Sequence, residues 1–185
     1  MKKVLQKGFT LIELLIVIGI LGILVAAVLL AINPAEGQKK ARDTKRMKDL
    51  TTLQIIMDQA VADGLFTANG AWNSGTGTSA CNAGWLGGTG INLCKYVPVL
   101  PVDPTNKAST TIAGAAGATD CTSATTVSAK TTYYYVNYDQ PSGSYEINVR
   151  QESTSNCGNL ENDGGNSNLN AEAGTDDALN LLTDN

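Results

Sequence analysis

Lys7-Gly8-Phe9-Thr10-Leu11-Ile12-Glu13-Leu14-Leu15-Ile16-Val17 opens a run that stays apolar to Ile32, interrupted only by Thr10, Glu13, Gly19 and Gly22. As a helix, residues 9–32 rise about 36 Å at roughly 1.5 Å per residue, enough to cross a hydrocarbon core of about 30 Å. Asn33-Pro34 ends or kinks that helix. A secretory signal peptide has a shorter apolar core, about 7–15 residues, followed by a small-residue cleavage site. Here the run is longer, and Ala26-Ala27 lies inside it. The segment therefore reads as an anchor, with one feature that a plain anchor does not need. A carboxylate inside an apolar span costs about 2.5–3.5 kcal/mol at the centre, less near an end, so Glu13 is a functional candidate. No Lys or Arg lies within the run to pair with it. Its partner must come from another chain or from a new chain terminus.

The 185-residue chain is sharply divided around this segment. About 150 residues make a usual domain, so the length fits one domain with an appendage. Lys2, Lys3 and Lys7 precede the run, and Lys39, Lys40, Arg42, Lys45, Arg46 and Lys48 follow it. From Gln151 onward there is no Lys or Arg, while Glu152, Glu161, Asp163, Glu172, Asp176, Asp177 and Asp184 accumulate. So acidic a head is a poor electrostatic match for nucleic acid. The basic stretch beside the run suits lipid headgroups or neighbouring chains. The chain has no His, which excludes a Ser-His-Asp or Cys-His unit and any His-ligated metal. Its 4 Cys include no C-x-x-C pair, against a zinc ribbon or a thioredoxin-type motif. No nucleotide loop or nucleophile–base pair is visible, so an enzyme is the least favoured class and no catalytic residue is assigned.

The stretch from Lys7 to Val17 closely resembles the leader-cleavage motif of type IV pilins and pseudopilins: a short basic leader, Gly, Phe, then Glu as the fifth residue counting from Phe. The resemblance implies that a membrane-embedded prepilin peptidase cuts between Gly8 and Phe9 on the cytoplasmic face and methylates the new amino terminus of Phe9. Cleavage removes three of the 13 basic side chains, leaving 10 against 17 acidic ones. It also creates an ammonium on Phe9, one helical turn from Glu13, which Glu13 can neutralise in its own chain or a neighbouring one. In a dry helix bundle that attraction is strong and an unpaired charge is expensive. Glu13 is therefore assigned as an assembly residue that sets register between subunits. Counted by Lys and Arg alone, six after the run against three before would hold the head in the cytoplasm. The processing motif, the Asn/Thr/Gly-rich head and the even Cys count argue for export, and export is the expectation.

Residues 35–63 read as an amphipathic helix. Met47, Leu50, Leu53, Met57 and Val61 form a stripe that Ile56 and Ala60 widen, and Gly64 is a candidate C-terminal cap. Lys45, Arg46, Lys48, Asp49 and Asp58 are expected on the opposite, solvated face. Residues 65–90 read as a Gly/Ser/Asn-rich connecting loop anchored by Trp72 and Trp85. Four Cys allow three pairings. Cys81–Cys94, close in sequence, with Cys121–Cys157, bracketing the strand region, is the favoured one, and disulfides are the expected role in an exported head. Leu100-Pro101-Val102-Asp103-Pro104 excludes regular helix and is similar to a segment that leads into the sheet in many pilins and pseudopilins; Asp103 can cap a turn or ligate an ion, and the turn is the expectation. Residues 132–138 and 144–150 alternate as two strands around Asp139-Gln140-Pro141-Ser142-Gly143, with Tyr134, Val136 and Tyr138 facing Tyr145, Ile147 and Val149 inward. Residues 110–112 and 125–127 are weaker strand candidates.

Asn159-Leu160-Glu161-Asn162-Asp163-Gly164 partly copies a calcium loop, as the resemblance to calcium-binding pseudopilins allows. Asn159 replaces the first acid and Asn170 stands where a bidentate Glu belongs, so Glu161 and Asp163 are weak ligand candidates, no cofactor is assigned, and a solvated tail is the expectation. The expected organisation is a leader at residues 1–8, a transmembrane or filament-core half-helix at 9–33, an amphipathic half-helix at 34–64 and a head at 65–185. The expected fold is α+β and type IV pilin-like, a long N-terminal helix packed on a small antiparallel sheet with disulfide-stapled loops. The expected function is a structural pilus subunit anchored in the inner membrane with its head exported. Its partners are further copies of itself, the prepilin peptidase, the inner-membrane assembly platform and membrane lipid, with no nucleic acid. The alternatives are a pseudopilin or minor pilin of a secretion or DNA-uptake machine, and an anchored ligand-binding head that does not polymerise.

Overall fold

Leu, Ile, Val and Ala fill the first helix, α1 (Leu11–Ile32), and every described side chain of residues 11–29 is exposed. The computed structural model describes residues 8–75, 78–88, 90–105, 134–160, 163 and 170–175. Residues 11–29 are long and apolar enough to cross a membrane. Asn33 ends α1 in the left-handed region, φ 43° and ψ 75°, which Asn tolerates better than other non-glycine residues. Pro34 then opens α2 (Pro34–Ala62), where its fixed φ and missing N–H suit a first helical position. The Glu36 N–H reaches both the Asn33 carbonyl (3.1 Å) and Asn33 Oδ1 (3.4 Å), so one asparagine closes a helix and caps the next. The chain divides into two compact units, residues 1–38 and 39–185, with the boundary inside α2.

In the second unit α2 buries Leu50, Leu53, Ile56, Met57 and Ala60 against the inner face of the sheet. Gly64, at φ 67°, terminates it: Gly64 N–H bonds Val61 O at 2.9 Å and Leu65 N–H bonds Ala60 O at 3.0 Å, the paired closure that needs a left-handed residue. Two expectations about α2 are corrected. Met47 was placed on the apolar stripe and is 43 % exposed, while Arg46 was placed on the solvated face and is fully buried. The buried arc at this end of α2 is polar, carrying Asp43 and Arg46, because their partners lie on the head.

The sheet has four antiparallel strands in the order β1 (Gly70–Asn73), β2 (Tyr134–Asp139), β3 (Ser144–Arg150) and β4 (Asn170–Gly174). The central hairpin pairs Tyr134 with Val149, Val136 with Ile147 and Tyr138 with Tyr145. All six are buried, as their alternation predicts. Its turn is closed by Gly143 N–H to Asp139 O at 2.9 Å and by the Ser142 hydroxyl to Asp139 Oδ2 at 2.7 Å. Full burial of a large apolar side chain is worth roughly 1.5–3 kcal/mol, so this shared face is the main source of the head's cohesion.

The two outer strands overturn the sequence reading. β1 lies in the stretch taken as a loop, and β4 lies in the stretch taken as a solvated tail. Both are short and carry few β-formers; each exists because the hairpin offers an unpaired edge. Gly174 permits the fit of β4, since a Cβ there would sit 2.1 Å from the Tyr145 carbonyl.

Beyond α2, Cys81 is disulfide-bonded to Cys94. The loop they close buries Trp85, Leu86 and Leu93, and Trp85 Nε1 donates to Pro101 O at 2.8 Å. Cys157 opens the short helix α3 (Cys157–Leu160) and is disulfide-bonded as well. Cys121, Glu161, residues 110–112 and 125–127 and the start of the first hairpin segment lie outside the described residues.

Candidate functional site

Gly8, Phe9 and Thr10 precede the first helical turn, outside any helix or strand, and all three are exposed. Phe9 is 88 % exposed. The Gly8–Phe9 bond is therefore outside the helix, where its amide is not locked into the helical hydrogen-bond ladder. A Cβ built on Gly8 meets nothing within 4 Å. The chain itself places no steric demand for glycine there, so any demand must come from whatever binds this segment.

Thr10 caps α1, with φ −81° and ψ 152°. Glu13 N–H donates to Thr10 Oγ1 at 3.3 Å, and Glu13 Oε2 accepts from the Thr10 N–H at 2.8 Å and the Thr10 hydroxyl at 2.7 Å. This reciprocal cap satisfies two donors of the first turn. It also turns the carboxylate back toward the chain terminus that cleavage after Gly8 would create. The in-run carboxylate is thus occupied within its own chain before any second chain is present, a role for Thr10 that the sequence reading missed although the Thr-x-x-Glu spacing carried it.

A second site ties α2 to the head. Arg46 holds Asp103 with a two-pronged grip, Nε to Oδ2 at 2.5 Å and Nη2 to Oδ1 at 3.0 Å. Its Nη1 reaches Asp43 Oδ1 at 2.8 Å, and its Nη2 lies 2.6 Å from Glu152 Oε1. Asp43 is a hub. Besides Arg46, it accepts the Glu152 N–H at 2.9 Å, the Ser153 N–H at 2.8 Å and the Asn156 amide at 3.1 Å. Arg42 adds a further grip on Glu152, with Nε to Oε1 at 2.8 Å.

Burial alone would raise the Asp103 carboxyl, but the Arg46 bonds outweigh it and hold it below the usual range. Hydrogen bonds from Arg42 first, and then from Arg46, pull Glu152 down to about 2 against its burial. The expectation that Asp103 caps a turn is met, since its Oδ1 accepts the Thr105 N–H at 2.7 Å. Its pairing with Arg46, 57 residues away, was not foreseen. Two sheet tyrosines extend the same seam. The Tyr134 hydroxyl donates to Asp49 at 2.6 Å and the Tyr145 hydroxyl donates to Asp58, and burial followed by the carboxylate raises both phenols above their ordinary value.

Of the weak calcium candidates, Asp163 accepts the Glu172 N–H at 2.9 Å and so serves the approach to β4. Among the described residues no group of three or more His, Cys, Asp or Glu is placed to hold a metal ion.

Residues 4–29 match the family model for the prokaryotic N-terminal methylation motif, which is the class III signal peptide of type IV pilins. The match covers Gly8, Phe9, Thr10, Glu13 and most of α1. No curated protein and no solved structure matches the chain. The match supports reading the N-terminal segment as that of a type IV pilin-like or pseudopilin precursor. The motif implies processing by prepilin peptidase and assembly into a pilus, and with α1 it fits anchoring in the membrane before assembly.

Proposed function

We propose that this chain is a structural subunit of a type IV pilus, cut between Gly8 and Phe9, N-methylated on Phe9 and polymerised through α1. The observation that carries the reading is the methylation motif at residues 4–29 on a helix whose described side chains are exposed from 11 to 29. Such a surface needs lipid at one stage and further copies of itself at the next. Glu13 supports the exchange. Its carboxylate is held by Thr10 at the helix start through Oε2, which accepts two hydrogen bonds and so lowers the cost of entering the bilayer. Cleavage then supplies an ammonium close to it. Pairing between Glu13 and that ammonium, in the same chain or the next, sets the stagger of stacked subunits. The inner-membrane assembly platform is the partner that lifts processed subunits out of the bilayer, and the exported head forms the filament surface that serves adhesion, motility or uptake.

A second reading, a pseudopilin or minor pilin, uses the same helix and the same processing; the head's acidic composition weighs against a direct role in holding DNA. Mass spectrometry of the N-terminal peptide tests both. N-methyl-Phe9 in sheared surface filaments supports the pilus subunit. The same peptide confined to membranes selects the pseudopilin. An intact leader, residues 1–8, in both fractions refutes processing and leaves an anchored head that does not polymerise.

A further inference from the structure

A groove of about 430 Å³ runs along the Arg46 end of α2, where Met47, Leu50, Leu160 and Ala171 supply its apolar lining and Gln151 its buried amide. The chain has three methionines. Met1 lies in the leader, Met57 is fully buried in the core, and Met47 is 43 % exposed in the groove. Gln151 Nε2 donates to Met47 Sδ at 2.8 Å. Gln151 is 5 % exposed, and its Oε1 has no hydrogen-bond partner among the described residues. That amide is therefore tied down at its nitrogen, against a thioether, which is a weak acceptor.

We propose that Met47 is a peroxide-oxidised modification site whose sulfoxide is received by the Gln151 amide, turning an apolar part of the groove polar while the head stays folded. In the step, the Met47 sulfur attacks one oxygen of a hydroperoxide. The O–O bond breaks, an S–O bond forms, sulfur gives up two electrons, and the peroxide leaves as an alcohol, or as water from hydrogen peroxide. The product places a strong acceptor where Gln151 already presents a donor. Sulfoxide formation ordinarily disrupts a core because it buries a polar group without a partner. Met57 has that problem and is also out of reach of the oxidant. Met47 has neither difficulty.

The test uses the full-length chain in detergent micelles with graded hydrogen peroxide. A protease that cuts before Asp separates Met47, in residues 43–48, from Met57, in residues 49–57. One added oxygen is expected in the first peptide at least about tenfold faster than in the second. The melting midpoint of oxidised wild type, followed by Trp fluorescence, should stay within about 1 °C of the untreated chain. Oxidised Gln151→Leu should fall by about 2–4 °C against its own untreated form. Gln151→Glu, which keeps the shape and loses the amide donor, should fall likewise and serves if the leucine variant does not fold. Met47→Leu should show no response to peroxide. Comparable oxidation of the two peptides would overturn the proposal, as would a midpoint drop in oxidised wild type as large as in the Gln151 variants.

Discussion

Replacing Arg46 by Met is the sharpest perturbation available to the seam between α2 and the head. The arginine is fully buried, and its loss takes the guanidinium from Asp103 at 3 % exposure, which keeps its Thr105 bonds, and from Asp43 at 1 %, which keeps three donors. Removing one partner of a buried ion pair costs about 3–5 kcal/mol, because a carboxylate stays buried without its counter-charge. At about 2–4 °C per kcal/mol for a chain of this size, the melting midpoint should drop by about 6–20 °C. Lys45→Met, next door on the exposed side of the helix, should change stability by no more than about 0.5 kcal/mol. The double variant Arg46→Met with Asp103→Leu should recover part of the loss, since it removes one of the carboxylates that Arg46 leaves behind, while Asp43 keeps its three donors and Glu152 keeps Arg42. Thermal melts of the full-length chain in detergent, followed by the fluorescence of Trp72 and Trp85, measure all three. An Arg46→Met drop below about 1 kcal/mol, or a double variant no better than the single one, would refute the claim that this cluster is a buried ionic tie centred on Arg46.

The remaining predictions draw on the other sites. Glu152 falls from an ordinary 4.5 to about 2 in the folded chain, so its contribution is complete above pH 4.5 and is lost as pH falls toward 2. A melting series across that window should show the loss, and Glu152→Gln should flatten it; an unchanged slope would count against the Arg42 and Arg46 grip. Gly8→Val meets no steric obstacle in the chain, so it should fold normally and accumulate as precursor on immunoblots, and processing at the wild-type rate would remove the demand for a small residue at the cut. Glu13→Ala should remain in the membrane fraction yet yield no sheared filaments, and normal filaments would sink the pairing argument. Opening the Cys81–Cys94 loop by changing both to Ser should cost about 3 kcal/mol for a bridge spanning 13 residues, read as a lower midpoint in the same melts.

Periodic apolar pattern made α1, α2 and the β2–β3 hairpin legible, because each is long enough for its period to show in a single segment. β1 and β4 were not, because Gly-Ala-Trp-Asn and Asn-Ala-Glu-Ala-Gly become strands only by docking on edges that another segment provides. The N-terminal motif was legible for the opposite reason: Gly8, Phe9 and Glu13 have fixed local spacing and need no tertiary partner to be recognised. Arg46 shows where such reading stops. Nothing in residues 45–49 distinguishes it from Lys45 or Lys48, since its burial depends on Asp103 and on Glu152, far along the chain. An apolar-stripe rule assigns charge to solvent by default, and so exchanged the places of Arg46 and Met47.

The ties between α2 and the sheet have a consequence for the order in which the head takes shape. Arg46 waits for a residue 57 positions later, Asp49 for one 85 later, and Asp43 for the backbone of Ser153, 110 later. Among the described residues, β1 likewise pairs only with Tyr134–Asp139. Contacts so remote in sequence carry a large loop-closure cost and form slowly. A chain emerging from its N-terminal end therefore presents Leu50, Leu53 and Ile56 before Tyr134, Val136, Tyr145 and Ile147 exist to complete their core. The sheet that closes the head stays open until residues 134–174 have been made, and a chain whose sheet is still open is the state in which a polypeptide can be passed across a bilayer.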